Sequence, residues 1–173
     1  MPQMNLNKSA GANYELIFPI LPITRDVKDA DVFLLNIYGT IIPAITMATH
    51  EQDWQGGKYP MAISPLVYEP WYVHYTVDSN WCNWWMLYRW ITFIDNGISK
   101  YGRPWREYFV DAILNLYDNS HNRVMGLKII NIYPTSINEV TLSQREGQEN
   151  LSSGVNFNYT RIEVDRVYTD NKN

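Results

Sequence analysis

The chain has few of the residues that do chemistry. A single cysteine in 173 residues, Cys82, excludes an intrachain disulfide and a cysteine-built zinc site. Cys82 sits among tryptophans with no base beside it, which reads as buried filler rather than a nucleophile. The three histidines, His50, His74 and His121, lie in three separate segments, and none has a second histidine or a carboxylate at metal-ligand spacing on a helix. Gly56-Gly57 lacks the lysine, serine and strand-to-helix context of a phosphate loop. Glu15, Glu69 and Asp111 are the carboxylates that could pair across strands, and a sequence does not set their separation. No enzyme activity and no cofactor or metal is therefore expected. Charge is sparse at 18% of residues, the net charge is −4, and no basic run exists. That excludes a surface that grips nucleic acid through its phosphates, though not one that lets DNA slide past. The first residues lack a signal peptide's apolar run, and no apolar stretch is long enough for a membrane helix. The expectation is a soluble protein made in a reducing cytoplasm.

What the chain has is aromatic surface. Seven Trp and thirteen Tyr stand against that low charge, in a composition that is 46% hydrophobic. Trp and Tyr serve cores and interfaces alike. The balance fits a subunit covered by copies of itself, and equally a β-rich core that uses aromatics. The length fits one domain, from 14 to 168, between an N-terminal arm (1–13) expected to be flexible and a frayed tail (169–173).

Periodicity gives the elements. Tyr14 to Phe18 reads as a short strand stopped by Pro19, and Val32 to Tyr38 as a buried one. Thr46 to Tyr59 reads as a long loop or loose hairpin with Gly56-Gly57 at its tip. Its Trp54 either folds back on its own domain or docks on a neighbour. Leu66 to Val77 alternates strongly, with Trp71, Val73, Tyr75 and Val77 on one face. The period then changes. After an N-cap at Asp78 or Ser79, Trp81, Trp84, Trp85, Tyr88 and Ile91 recur at steps of three and four, an apolar stripe expected to hold a helix (about 79–95) on the sheet. Gly97 is the expected left-handed cap. Tyr108 to Tyr117 and Arg123 to Tyr133 form a hairpin about the turn Asp118 to Asn122. Ile137 to Leu142 is a further short strand. Gly154 to Val167 closes the chain, with a phase shift near Arg161 that predicts a bulge. The fold class is mainly β: an antiparallel sandwich or small barrel of about seven to eight strands with one flanking helix.

The order of several segments carries a resemblance. Phe18-Pro19 and Ile42-Pro43 are followed by the long loop, then by the strand Tyr68 to Asp78, a helix with Leu87, Tyr88 and Trp90, the segment Asn131-Ile-Tyr-Pro-Thr-Ser-Ile137 and a terminal strand. From about Tyr14 to Val167 this resembles the tail tube proteins of contractile-tailed bacteriophages, which share their fold with the hexameric tube protein of type VI secretion. The resemblance implies a structural virion protein. Hexameric rings would join their sheets into an inner barrel and stack into a tail tube, the conduit for DNA ejection. The implied partners are copies of itself, the tail sheath protein, and the baseplate tube-initiator and tail terminator proteins. DNA would cross the lumen without specific binding, the subunit would bind no membrane, and a ring would carry about −24 charges, which repel phosphate. The loop occupies the place of inter-ring contacts, which points to Trp54, Gln55 and Tyr59. The segment Val67 to Asp78 is also similar to baseplate proteins that start the tube, so an initiator or terminator of the same fold stands as the alternative. A carbohydrate-binding sandwich, with rings stacked on sugars, is the reading from a different class.

Overall fold

The computed structural model describes residues 13–18, 36–54, 56–98, 105–142 and 150–166. Most of the arm, the first part of the Val32 to Tyr38 strand, Gln55 and the tail lie outside them. Among the described residues, nine antiparallel strands and one long helix follow in the order β1 (Tyr14–Ile17), β2 (Ile37–Thr40), β3 (Ile45–Trp54), β4 (Gly57–Tyr68), β5 (Trp71–Thr76), α1 (Cys82–Asn96), β6 (Val110–Tyr117), β7 (Arg123–Ile137), β8 (Ser152–Asn158) and β9 (Arg161–Arg166). A 3-10 turn, Trp105–Tyr108, precedes β6. The architecture is a sandwich-like pair of antiparallel sheets with the helix on it, and no barrel closes.

Strand β7 belongs to both sheets. Its first half pairs with β6 and β9, and its second half with β8, which continues to β5 and β2. One register runs through both halves: Tyr133 lies opposite Asn158 and Ile130 opposite Arg161. The ribbon kinks between them. Asn131 takes a positive φ of 57°, which asparagine tolerates better than most residues. Its N–H donates to Asp111 Oδ1 (3.0 Å) and its amide to Thr160 Oγ1 (3.1 Å). Asn131 sits at a bulge of β7 against β6, whereas the terminal strand, where the phase shift near Arg161 predicts a bulge, is instead broken into β8 and β9 with its register on β7 unchanged. Two boundaries differ from the sequence reading. β7 does not stop at Pro134 but runs through to Ile137, because the register slips between Pro134 and Ser136, where the missing proline N–H is not needed. Residues 138–142 are consequently not a strand.

The core is aromatic. Trp71, Val73, Tyr75 and Val77 are buried along one face of β5, as alternation predicts. They meet Val155 and Phe157 of β8, Ile129 and Ile132 of β7, and Met86, Leu87 and Trp90 of α1. Phe157 lies 5.6 Å from the Trp71 ring and 6.0 Å from that of Trp90. Both buried indoles are satisfied: Trp71 Nε1 donates to Ile41 O (2.9 Å) and Trp90 Nε1 to Tyr108 O (2.9 Å).

The helix turns the opposite face from the expected one. Asn83, Met86, Leu87 and Trp90 are buried, while Trp81, Trp85 and Tyr88 are exposed and Trp84 and Ile91 half-buried. The reason is that Cys82–Asn96 is apolar on both sides, so its period alone does not choose a face. The start of α1 also has its own design. Trp81 adopts a left-handed φ of 58° and gives no side-chain cap. Asp78 Oδ1 instead accepts from the Asn83 N–H (2.9 Å), and Asn83 Oδ1 accepts from Asp78 N (3.3 Å) and Trp84 N (2.8 Å). At the other end Gly97 is right-handed (φ −66°), not the left-handed cap expected. Its hydrogen leaves room for Tyr108: a Cβ there would overlap that hydroxyl and ring.

Candidate functional site

No constellation for catalysis assembles among the described residues. No three of their His, Cys, Asp and Glu side chains group as metal ligands, and no helix among them is long and apolar enough to cross a membrane. Two of the three carboxylates singled out by sequence are engaged locally. Asp111 pairs with Lys128 (3.1 Å). Glu15 accepts from the Tyr117 hydroxyl (2.7 Å) and the Asn115 amide (3.2 Å), and these bonds hold its pKa below the ordinary value. Glu69 lends its backbone carbonyl to the Tyr159 hydroxyl (2.9 Å), whose pKa burial pushes up to about 12. His74 packs against Tyr72 (4.4 Å) and Tyr38 (5.7 Å), as a structural histidine does. Cys82 is exposed, not buried as expected, because it shares the outward side of α1.

The distinctive surfaces are three. The first is a ribbon. Of the two readings of this segment, long loop or loose hairpin, it is a hairpin of β3 and β4, turning at Gly56, where a φ of 90° requires glycine. It continues the β2–β5 pair: Thr40 opposite Val73 and Ile45 opposite Tyr68 belong to one register. In that register Pro43 falls opposite Pro70, so neither strand donates to the other at that point. Beyond the prolines β3 and β4 pair only with each other. A two-stranded sheet alone is marginal in water. This one also presents Ile45, Met47, Tyr59, Met61, Leu66 and Val67 to solvent, with Tyr59 58% and Met61 53% exposed. Of the three residues marked for contact, Tyr59 is on the ribbon and open, Trp54 ends β3 next to the turn, and Gln55 lies outside the described residues.

The second surface is the outer face of α1. Trp81 meets Trp84 edge-on (6.3 Å), Trp84 stacks on Tyr88 (5.6 Å, 6° between planes), and Trp85 also stacks on Tyr88 (5.5 Å, 24°). Trp85 is 53% and Tyr88 42% exposed. The same five-residue stripe was legible in sequence, but its outward side was not. The third surface is edge. Among the described residues β1, β2 and β9 each pair on one side only. β9 carries Arg161, Glu163, Asp165 and Arg166, and unpaired edges of natural sheets are commonly charged. Arg161 pairs with Glu163 (2.7 Å), and Arg123 reaches Asp165 (3.2 Å).

No protein-family model matches the chain, and no curated protein matches it in sequence. Its fold, however, is that of contractile-tail tube proteins. A chain of the anti-feeding prophage tube-terminating cap superposes with a TM-score of 0.63 at 11% identity, covering 93% of each chain. A chain of the anti-feeding prophage baseplate gives 0.60 at 8% identity, over 94% of this chain and 98% of that one. A chain of the sheath–tube complex of an extracellular contractile injection system, PVC, gives 0.56 at 12% identity, over 94% and 95%.

Proposed function

We propose that this chain is a structural subunit of the inner tube of a contractile bacteriophage tail. Six copies form a ring, rings stack into the tube, and the tube lies inside a sheath between a baseplate initiator and a terminator. DNA leaves through its lumen. The observation that carries this reading is the shared fold, which spans nearly the full length of both chains in each of the three comparisons. Two features of the molecule support it. Open edges on β1 and β9 suit a sheet completed by neighbouring subunits, which removes edges that otherwise invite aggregation. The ribbon suits contact between rings, the role proposed for Trp54, Gln55 and Tyr59. Head-to-tail contacts close into rings, while stacking stays open-ended and grows a filament.

The similarity to a tube-terminating cap favours a second position for the same fold, at the end of the tube. Electron microscopy of the purified protein over a concentration series separates the readings. Hollow tubes of stacked six-fold rings support the major tube protein, and single rings that do not stack support a terminator or initiator. A chain that remains monomeric at high concentration overturns self-driven tube assembly. Trp54→Ala is expected to leave rings intact and reduce stacking.

A further inference from the structure

We propose that the outer aromatic ladder of α1 is the seat for the β3–β4 ribbon of a second copy of this chain. The proposal rests on the reading of the chain as a self-assembling subunit and adds which two surfaces meet. Both are open in the isolated chain: Trp85 and Tyr88 on the helix, and Tyr59, Met61 and the other ribbon apolars, stand in solvent. The ribbon does not cover the ladder of its own molecule, so a contact between the two is made between molecules. Reach allows it. Ten residues of β3 extend about 34 Å, comparable to the width of the body they leave.

The chemistries complement each other. The ladder offers flat ring faces and edges, and one face of the ribbon offers Met47, whose thioether favours aromatic contacts, with Ile45 and Leu66 beside it and Asp53 further along. Charge agrees as well. Arg89, exposed beside Tyr88, has no ion-pair partner among the described residues. On the ribbon Lys58 pairs with Glu51 (3.5 Å), which leaves Asp53 as the acidic group in excess. An aromatic side chain buries about 150–250 Å², so the open parts of Trp81, Trp85 and Tyr88 amount to roughly 250 Å². Ile45, Met47 and Leu66, which share one face of the ribbon, add about 150 Å² at the usual transfer coefficient. With the polar share normal for an interface, the contact reaches about 700 Å², the size of one weak contact among the several that hold an assembly. Each subunit would make it twice, once with each surface.

Cys82, the chain's only thiol, lies next to Trp81 and is exposed, so it reports on the ladder directly. A benzophenone maleimide on Cys82, irradiated in assemblies mixed from ¹⁴N and ¹⁵N protein, should give mixed-isotope cross-links to the peptide Ile45 to Tyr68. Trp85→Ala, at an exposed site that leaves the circular dichroism unchanged, should raise the concentration needed for assembly about tenfold or more. Arg89→Glu and Asp53→Arg should each weaken assembly, and the double variant should recover it. Assemblies that form normally in Trp85→Ala and cross-link elsewhere overturn the seat while leaving the tube reading standing. A wild-type chain that does not assemble at any concentration overturns both.

Discussion

Asn83 has no solvent exposure, yet it is polar, and its amide joins strand to helix. Its Nδ2 donates to Thr76 O (2.7 Å) while its Oδ1 serves Asp78 and Trp84. Asn83→Ala leaves those backbone groups without partners and should cost about 1–3 kcal/mol, read as a lower urea midpoint with an unchanged slope. Gly97→Ala should cost a similar amount, about 1–3 kcal/mol by overpacking against Tyr108. Neither role is visible in sequence, where Asn83 reads as one polar break in an apolar run and Gly97 as a helix stop. Both depend on what another segment brings close. Acid sensitivity also resides in single residues. Hydrogen bonds from Tyr117 and Asn115 lower the Glu15 pKa, and those from Asn122 lower that of Asp118. Depressed folded values give stability that is present above the unfolded values and lost as pH falls through the folded ones, below about pH 4. Tyr117→Phe should therefore lower the urea midpoint at about pH 6 more than at about pH 3, and so shrink the difference between them.

At the scale of elements, periodicity found the hairpin of β6 and β7, the buried face of β5 and the helix, and it marked the place near Arg161 where the last strand breaks. It assigned α1 to the wrong face because tryptophan suits either side. The side that packs is fixed by Trp90, which fits between Phe157 and the Tyr108 carbonyl. Trp90→Ala should cost about 3–5 kcal/mol in denaturation, whereas Trp85→Ala should leave the unfolding midpoint nearly unchanged. That contrast tests the corrected face directly. The ribbon was read only as a long loop or a loose hairpin because His50 to Asp53 are polar and Pro60 and Pro65 interrupt the alternation. Backbone pairing from Ile45 to Tyr68 overrides both signals, with a bulge absorbing the register slip between Met47 and Ala48. Shortening the hairpin by deleting its outer half should leave the unfolding of the body unchanged and abolish assembly, seen by calorimetry and microscopy together.

At the scale of the molecule, the sequence order of strands carried the fold class, and the resemblance in segment order agreed with the superposed structures. How the two sheets share β7 was not legible, since it depends on Asn131 and Thr160 meeting across the kink. Nor was the extent of open edge, because which strand lacks a partner is a property of the whole arrangement. The opposed prolines, Pro43 and Pro70, have a consequence at this scale. A ladder of hydrogen bonds transmits cooperativity along a strand pair, and a rung with no donor on either side breaks that transmission. The ribbon and the body should then open as separate units. In the isolated chain, amides of β3 and β4 should exchange with deuterium far sooner than those of β5 and β8. Once the subunits assemble, the two rates should converge, and the ribbon's protection factor becomes a direct gauge of how firmly one copy is clasped by the next.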